Sequence, residues 1–382
     1  MRLLVLAVAL AGCFKPAPQE GFACGRDNWC PDPLHCVSDG TCRSGPTDDG
    51  GIVAPDADLA GVNLAFVAAT PIKAQDLGSP PGSDQMCTSI ANGAGHPGNF
   101  ISWTSTTTSS AVSRLLASNA NGWVRVDGRP FAATRGSLIA GKILYPLRKD
   151  ENSADHVVQV LTGTGPAGTS IGENCVEFTS ANSADLIVLG TSDGGSNRWT
   201  NDIEDTCDHG SAFFCLQIDH NKAIPPPNEQ GPRAFITAVR FTPGPGGIGG
   251  ADQLCQSEAD AASLSGTYLA FLSTTQQSAL SRFTLPPGPW IRVDGVATAR
   301  DFSDWDAPID VTAAGDYAID DLVFSGATAP SAKSADATES CSDWKISTGS
   351  SLAGEAAHTG ARAFGSFSGS CGGHTILCLQ SN

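Results

Sequence analysis

From Gly250 the sequence reads G-A-D-Q-L-C-Q-S-E-A, and it continues through S-G-T-Y-L-A-F-L-S-T-T-Q-Q-S-A-L-S-R (265–282) to W-I-R-V-D-G (290–295). From Gly82 the same pattern appears as G-S-D-Q-M-C-T-S-I-A, P-G-N-F-I-S-W-T-S-T-T-T-S-S-A-V-S-R and W-V-R-V-D-G, with a one-residue deletion between the last two blocks of the second copy. A match over about forty-five positions marks two copies of one domain. Each copy has roughly 150 residues, which is long enough to bury a substantial core.

Composition places the chain among secreted, β-rich proteins. Charged residues make up 16% of the 382 positions, and the formal net charge is −17. Thirteen cysteines are too many for a reduced cytosolic protein, so we expect an oxidising compartment. Because an acidic surface repels phosphate backbones, we expect no nucleic-acid partner.

The N-terminus has the pattern of a lipoprotein signal peptide. Residues 1–12 carry one arginine and an apolar run that is too short to span a bilayer. The ending L-A-G-C resembles the bacterial lipobox, which implies cleavage before Cys13, a lipid on its thiol and an anchored N-terminus over residues 13–21. Phe14 stands where some bacteria use an aspartate for inner-membrane retention, which favours the outer membrane or cell surface of the envelope. The alternative is an ordinary secretory signal with a chance cysteine.

A small cysteine-rich module is expected over residues 22–44. Its cysteines fall every six residues, at Cys24, Cys30, Cys36 and Cys42. The stretch is too short for a hydrophobic core, so we expect two disulfides, and three pairings remain open. Zinc held by these cysteines beside His35 is the alternative. Residues 45–63 are rich in Asp, Gly and Pro and are expected to form an extended linker.

The two repeats are expected as domains over residues 64–218 and 234–382. Residues 219–233 join them and contain a Pro triplet. Because proline fixes the backbone and disfavours helix, we expect a stiff spacer between the domains.

Each repeat is expected to open with a strand. In the second copy a Gly-rich turn, a helix over 251–262 and a buried strand over 267–272 follow. A second helix is predicted over 276–282, and W-I-R-V-D-G predicts a strand that ends in a hairpin turn. Trp123 and Trp290 are predicted to pack, because so large an apolar side chain is rarely left exposed.

The cysteine spacing repeats as well and carries a resemblance. Successive separations are 88, 32 and 8 residues in the first copy and 86, 30 and 7 in the second. A first cysteine on an early helix, an E-x-C motif and two close cysteines before the terminus resemble the C-type lectin-like fold. Residues 250–273 are similar to the helix–strand core of endostatin, a member of that fold.

A family of secreted bacterial proteins and lipoproteins, known from leptospiral surface proteins, shows a similar set of motifs. They match G-G-I-G-G-A-D (246–252), G-T-Y-L-A-F-L-S (266–273), V-D-G (293–295) and C-S-D-W (341–344). The resemblance implies an α+β fold class. It predicts two tandem C-type lectin-like (endostatin-like) domains, loop-rich and disulfide-stapled, after the small cysteine-rich module.

The lectin-like resemblance also implies a nested disulfide pairing. The implied bridges are Cys87–Cys215 around Cys175–Cys207, and Cys255–Cys378 around Cys341–Cys371. Each outer bridge would tie the first helix to the last strand. Closing a loop of about 125 residues stabilises the fold by roughly 4–5 kcal/mol in the chain-entropy treatment.

The same resemblance points to a weak calcium site in the first domain. In sugar-binding C-type lectins, a Glu two positions before a cysteine and an Asn-Asp pair after a Trp coordinate calcium, and the matching positions are Glu173, Asn201 and Asp202. Calcium takes six to eight oxygen ligands. Gly-Pro-Ala at 165–167 replaces the Glu-Pro-Asn triplet of the lectin pattern, and Thr200 is inserted before Asn201. The alternative is that these side chains hydrogen-bond loop backbone beside a disulfide and that no cofactor is present.

We expect this chain to work by binding rather than by catalysis. No H-x-x-x-H, H-E-x-x-H or G-x-S-x-G motif is present. The favoured hypothesis is an envelope protein that is held to the membrane by its N-terminal lipid and binds a glycan or a protein. Two domains on one spacer suit bivalent capture. The alternatives are an architectural envelope protein without a soluble ligand, and an enzyme with an unrecognised loop-borne site.

Overall fold

The computed structural model describes residues 61–303, 305–318 and 322–381, together with two short strands nearer the N-terminus. These strands, β1 (His35–Cys36) and β2 (Cys42–Arg43), pair antiparallel. The signal peptide, Cys13 and most of the small cysteine-rich module lie outside the described residues, so what was expected there stays a prediction. Contacts divide the chain into residues 1–52 and 53–382, and the second unit holds both repeats. None of the helices in the described part of the chain has the length and apolarity of a bilayer span.

The first repeat is built from short strands and short helices. Its strands are β3 (Asn63–Val67), β4 (Ile72–Lys73), β5 (Phe100–Ser102), β6 (Trp123–Arg125), β7 (Pro130–Ala132), β8 (Gln159–Leu161), β9 (Leu186–Thr191), β10 (Ile203–Thr206), β11 (Gly210–Ser211) and β12 (Phe214–Gln217). Its helices are α1 (Ala74–Leu77), α2 (Gly82–Gly93), α3 (Ala111–Ala117), α4 (Arg135–Ile139) and α5 (Cys175–Phe178).

The second repeat has fewer elements of the same kinds. Its strands are β13 (Arg233–Ile236), β14 (Thr267–Ala270), β15 (Ile291–Arg292), β16 (Leu322–Phe324), β17 (Ser350–Glu355), β18 (Phe367–Ser370) and β19 (Leu377–Ser381). Its helices are α6 (Gly247–Ala261), α7 (Cys341–Trp344) and α8 (Gly360–Ala363), with a 3-10 turn at Leu280–Arg282.

The two repeats have matching sheets. The main sheet has the order β5-β12-β3-β6-β7 in the first repeat and β14-β19-β13-β15 in the second. In both, the opening strand pairs antiparallel with the last strand and parallel with the strand of the W-x-R-V-D-G motif. A second, three-stranded sheet follows in each, β10-β9-β8 and β16-β17-β18. The chain is therefore of the α+β class, with small sheets and few helices.

The main sheets are buried on both faces, which explains why their opening strands are continuous apolar runs. In β3, Ala65 and Val67 belong to one apolar cluster and Phe66 to the cluster on the other face. The predicted packing of the motif tryptophans is confirmed, since Trp123 and Trp290 are both fully buried. Their indole N–H groups donate to backbone carbonyls of the last strands.

Disulfides tie the first helix of each repeat to its last strand. Among the described residues, four bridges join Cys87 to Cys215, Cys175 to Cys207, Cys255 to Cys378 and Cys341 to Cys371. This is the nested pairing that the resemblance implies. On α6, Ala251, Cys255 and Ala259 are all buried at a spacing of four, so the helix lies close to the sheet along a stripe of small side chains.

Each repeat also contains one turn of left-handed helix at a C-x-x-aromatic motif. All four residues of α5 have φ between 53° and 61°, and those of α7 lie between 50° and 65°. Left-handed helix costs about 1–2 kcal/mol per residue other than glycine. Side chains hold the turn in place: the Asn174 amide oxygen accepts from Glu177 N (2.9 Å), and the Glu177 carboxylate accepts from Thr107 N (2.9 Å).

Two predicted helices differ in extent. Helix α6 begins at Gly247, so most of the predicted Gly-rich turn is its first turn. Gly247 has φ +55°, which glycine adopts at little cost, and its N–H closes a turn onto Gly244 O. The helix predicted over 276–282 is only a 3-10 turn, because Leu280 N donates to Pro330 O rather than within a helix.

The segment between the repeats does not hold them apart. Ile224 N donates to Ala133 O (2.8 Å) in the first repeat, and Glu229 N donates to Gly295 O (3.3 Å) in the second. The segment therefore lies along both repeats, while the stiffness expected of it stays a prediction. The repeats contact one another directly, as the next section describes.

Candidate functional site

An apolar patch forms the first contact between the repeats. Leu144 and Tyr145 of the first repeat pack with Ile291, Val296 and Ala297 of the second. The Tyr145 hydroxyl accepts a hydrogen bond from Ala297 N at 3.0 Å. The patch is small, so polar contacts make up much of the interface.

The arginine of the W-x-R-V-D-G motif is fully buried in both repeats. Arg125 binds Asp127, and Arg292 binds Asp294 through Nη2–Oδ2 at 2.6 Å. Each guanidinium also donates to a proline carbonyl of the following loop. The Asp-Gly turn is thus held by its own arginine, which supports the hairpin interpretation of this dipeptide.

In the second repeat this arginine also reaches the first repeat. Arg292 donates to Asp310 Oδ1 (2.6 Å) and to Ile143 O of the first repeat (3.1 Å). Ser196 of the first repeat donates to Asp310 Oδ2 at 2.7 Å. Burial raises the pKa of Asp310 to about 6, although Arg292 and Ser196 act in the opposite direction. A fully buried carboxyl group therefore joins the two repeats.

Gly195 lies at a close approach between the backbones of the two repeats. Its N–H donates to Ala357 O of the second repeat at 2.9 Å. A Cβ atom at this position would lie 2.5 Å from Asp310 Oδ2 and 2.6 Å from Pro308 Cγ. The interface therefore requires glycine here.

A charged cluster of four side chains forms the other polar contact. The Asp202 carboxylate of the first repeat accepts hydrogen bonds from Arg362 Nη1 (2.6 Å) and His358 Nε2 (3.1 Å). Both of these residues belong to the second repeat. Glu355 Oε2 lies 2.7 Å from Arg362 Nη2 and 3.3 Å from His358 Nε2. The side chains of Asp202 and His358 are fully buried. Strand β17 ends at Glu355, and α8 carries Arg362, so the second repeat supplies three of the four from one short segment.

Two further charged groups surround this cluster. Arg198 lies 3.7 Å from Asp202 Oδ1 and 3.5 Å from Glu355 Oε1. Asp193 Oδ1 lies 3.9 Å from the second ring nitrogen, Nδ1, of His358. Three carboxylates from both repeats thus meet two guanidinium groups and one imidazole.

The electrostatics of the cluster favour charged carboxylates. Burial alone would raise the pKa of Asp202, but hydrogen bonds from His358 and Arg362 lower it to about 2. Burial lowers the pKa of His358, but the neighbouring carboxylates of Asp193 and Asp202 outweigh it and leave that pKa above its usual value.

A cleft of about 470 Å³ opens beside the charged cluster. Both repeats line it, with Arg148, Gln159 and Asp193 on one side and Trp305, Thr359 and Arg362 on the other. Arg148 Nη1 donates to Trp305 O at 2.6 Å across the repeat boundary. The side-chain oxygen of Gln159 is buried and has no hydrogen-bond partner among the described residues.

The three residues of the predicted calcium site lie in different environments. Asp202 lies in the inter-repeat cluster, where it pairs with Arg198 and Arg362. Glu173 accepts from Val188 N through its backbone oxygen, and Asn201 N donates to Asn197 O. The group of potential metal ligands found in the described residues is Asp202, Glu355 and His358, and it does not include Glu173. Calcium at the lectin-like positions stays a prediction.

Sequence reasoning missed the second-repeat half of this site. Glu355, His358 and Arg362 fall within eight residues, E-A-A-H-T-G-A-R, in a chain with only 16% charged residues. That local concentration of charge is the signal that was available. It could not indicate the partner, because Asp202 lies 156 residues before His358.

Comparison with protein-family models and with curated proteins finds no match to this chain.

Proposed function

We propose that this chain is a lipid-anchored bacterial envelope protein whose two repeats are C-type lectin-like domains, and that it binds a ligand without transforming it. The observation that carries the proposal is the cleft of about 470 Å³ that both repeats line. Ligand sites are concave, commonly have volumes of about 300–1,000 Å³ and often lie at domain interfaces. The shared cleft meets each of these criteria.

The lining of the cleft favours a short saccharide. Gln159, Thr191 and Thr359 give the cleft a polar, uncharged part of its lining. The charged lining groups are Arg148, Arg362 and Asp193, which can donate to and accept from saccharide hydroxyl groups. Saccharides combine many hydrogen-bonding hydroxyls with apolar C–H faces, and Val157, whose side chain is 53% exposed, provides an apolar contact.

The lipid anchor rests on the L-A-G-C sequence that ends at Cys13. A lipid there would hold the cleft at the envelope, where saccharides are abundant. A Cys13→Ala variant should move the chain from the membrane fraction to the soluble fraction. An unchanged membrane fraction would remove the lipid anchor from the proposal.

The test uses the purified full chain on an array of bacterial and host glycans. Val157→Trp fills the cleft without removing an inter-repeat hydrogen bond, and Val239→Trp adds the same side chain at another exposed valine, outside the cleft. We expect the wild type and Val239→Trp to bind the same glycans. We expect Val157→Trp to bind none of these glycans.

Two outcomes would count against this proposal. Equal binding by both variants would place the ligand elsewhere on the chain. No binding to any saccharide by the folded wild type would favour a protein ligand or the architectural alternative, and surface binding of a deletion strain would then separate these two.

A further inference from the structure

The position of His358 Nε2 requires either a proton or a metal ion on that nitrogen. This nitrogen lies 3.1 Å from Asp202 Oδ1 and 3.3 Å from Glu355 Oε2. Ionised carboxylate oxygens only accept hydrogen bonds, so a bare imidazole lone pair facing both would be repelled. A proton on Nε2 can form a well-directed hydrogen bond to only one of these oxygens. A metal ion can bind the nitrogen and both oxygens together.

The two separations measured from His358 Nε2 fit a tetrahedral ion. Zinc binds His nitrogen and carboxylate oxygen at about 2.0–2.2 Å, so neighbouring ligand atoms of a tetrahedral site lie about 3.3 Å apart. The separations of 3.1 and 3.3 Å from Nε2 agree with this value. One ligand atom from each of Asp202, Glu355 and His358 lies within 4.8 Å of the other two.

A carboxylate stands on the Nδ1 side of His358, as in many metal-binding histidines, although beyond hydrogen-bond distance. Such a histidine usually directs its other ring nitrogen at a carboxylate, which fixes the tautomer. Here Nδ1 faces Asp193 Oδ1 at 3.9 Å, and Nδ1 is buried without a hydrogen-bond partner among the described residues. Arg362 binds Asp202 through Nη1–Oδ2 (2.6 Å) and Nη2–Oδ1 (3.1 Å), so Asp202 Oδ1 is shared between Arg362 and His358.

Charge and access agree with a bound cation. With a neutral imidazole, the carboxylates of Asp193, Asp202 and Glu355 exceed the two guanidinium groups by one negative charge. Arg362 and Asp193 belong to both the cluster and the cleft wall, so an ion has a path from solvent. A three-ligand zinc site keeps a fourth position for water or a ligand group.

We propose that Asp202, Glu355 and His358 bind one zinc ion between the two repeats, with Asp193 orienting the histidine. The ion joins one ligand from the first repeat to two from the second. This inference does not depend on which ligand the cleft takes.

The experiment measures zinc bound to the full chain by equilibrium dialysis, without added reductant. We expect His358→Gln and Glu355→Gln to bind one zinc ion fewer per chain than the wild type. Asp193→Asn should lower the affinity for that zinc ion about 10–100-fold, because it removes only the partner that orients the histidine. His209→Gln is the matched control, since His209 pairs with Asp205 at 3.0 Å on an exposed surface.

Two measurements keep the test decisive if a variant folds poorly. Cobalt added to the wild type should give the visible absorption of a tetrahedral site, and zinc should raise the unfolding midpoint by mass action. Equal zinc content in the wild type and both ligand variants would overturn the proposal. So would a wild type that shows no cobalt spectrum and no zinc-dependent midpoint, in which case His358 carries a proton instead.

Discussion

Single residues of the W-x-R-V-D-G motif stabilise both a hairpin turn and a contact between the repeats. One buried arginine holds the Asp-Gly turn of its own hairpin in each repeat, through Arg125 in the first and Arg292 in the second. Arg292 also reaches Asp310 and a carbonyl of the first repeat. The same motif thus stabilises a local turn twice and an inter-repeat contact once.

The pairing of Asp294 with Arg292 predicts a loss of stability in acid. Burial alone would raise the pKa of Asp294, but the charge and hydrogen bonds of Arg292 lower it below its usual value. The stabilisation is therefore present above the unfolded-state pKa of about 3.9 and is lost as pH falls through the lower folded-state pKa. Asp294→Asn should cost roughly 3 kcal/mol of unfolding free energy at pH 6, and the gap should narrow towards pH 2.

Urea denaturation across this pH range measures the effect. Asp76→Asn is the control, because Asp76 is exposed. If the difference in unfolding free energy between the wild type and Asp294→Asn stays constant from pH 6 to pH 2, the charge of the carboxylate does not contribute to stability.

Gly195 predicts a steric effect at the interface. Gly195→Ala places a Cβ atom 2.5 Å from Asp310 Oδ2, and both Asp310 and the neighbouring Pro308 are held in place. We expect Gly195→Ala to lower the unfolding free energy by about 1–3 kcal/mol, as at other overpacked sites. Gly249→Ala in α6 is the control, since it meets nothing within 4 Å and should be neutral or slightly stabilising. Equal midpoints for the two variants in thermal unfolding would argue against the close approach.

At the scale of elements, the left-handed turns α5 and α7 are the most constrained parts of each repeat. A disulfide begins each turn, a side-chain cap closes it, and its third residue binds the loop after the neighbouring strand. In α7 that residue is Asp343, which accepts from Thr275 N (2.8 Å) and Thr275 Oγ1 (2.9 Å). The strain is thus offset by contacts that fix one loop on another.

The strain can be measured at Val176, an exposed β-branched residue with φ +53°. Because glycine adopts this conformation freely, Val176→Gly should raise the unfolding free energy by up to about 1 kcal/mol. Val239→Gly, at an exposed valine outside the turns, should instead lower it. A destabilised Val176→Gly would mean that the valine backbone is not left-handed in solution.

Much of the element order could be predicted from the sequence. The opening strands, the first helix and the hairpin strand follow from local apolar runs and turn residues, and the cysteine spacing with its resemblance implied the disulfides. The left-handed turns could not be predicted, because C-V-E-F and C-S-D-W show no glycine at any of the strained positions.

The candidate site was only partly predictable. Asp202 was selected for its place after a Trp, yet its partners His358 and Arg362 come from the other repeat. A long-range ionic contact leaves no periodic pattern in either segment. The packing of the repeats was missed for the same reason, since the Pro triplet indicates local stiffness and says nothing about where the segment lies.

At the scale of the whole molecule, the interface turns two similar repeats into one body with features that neither has alone. The cleft, the buried Asp310 contact and the Asp202–Glu355–His358 group all need residues from both repeats. A rigid pair with one shared cleft differs from two separate modules that each bind a ligand. The proposed binding function therefore depends on the interface more than on either repeat.

A double-mutant cycle on Arg129 and Asp306 tests this interface most directly. Arg129 of the first repeat lies 2.7 Å from Asp306 of the second, and this pair touches neither the cleft nor the charged cluster. Urea unfolding of Arg129→Ala, Asp306→Ala and the double variant should give a coupling free energy of about 0.5–3 kcal/mol. Additive effects, within about 0.3 kcal/mol, would mean that the repeats do not pack together in solution.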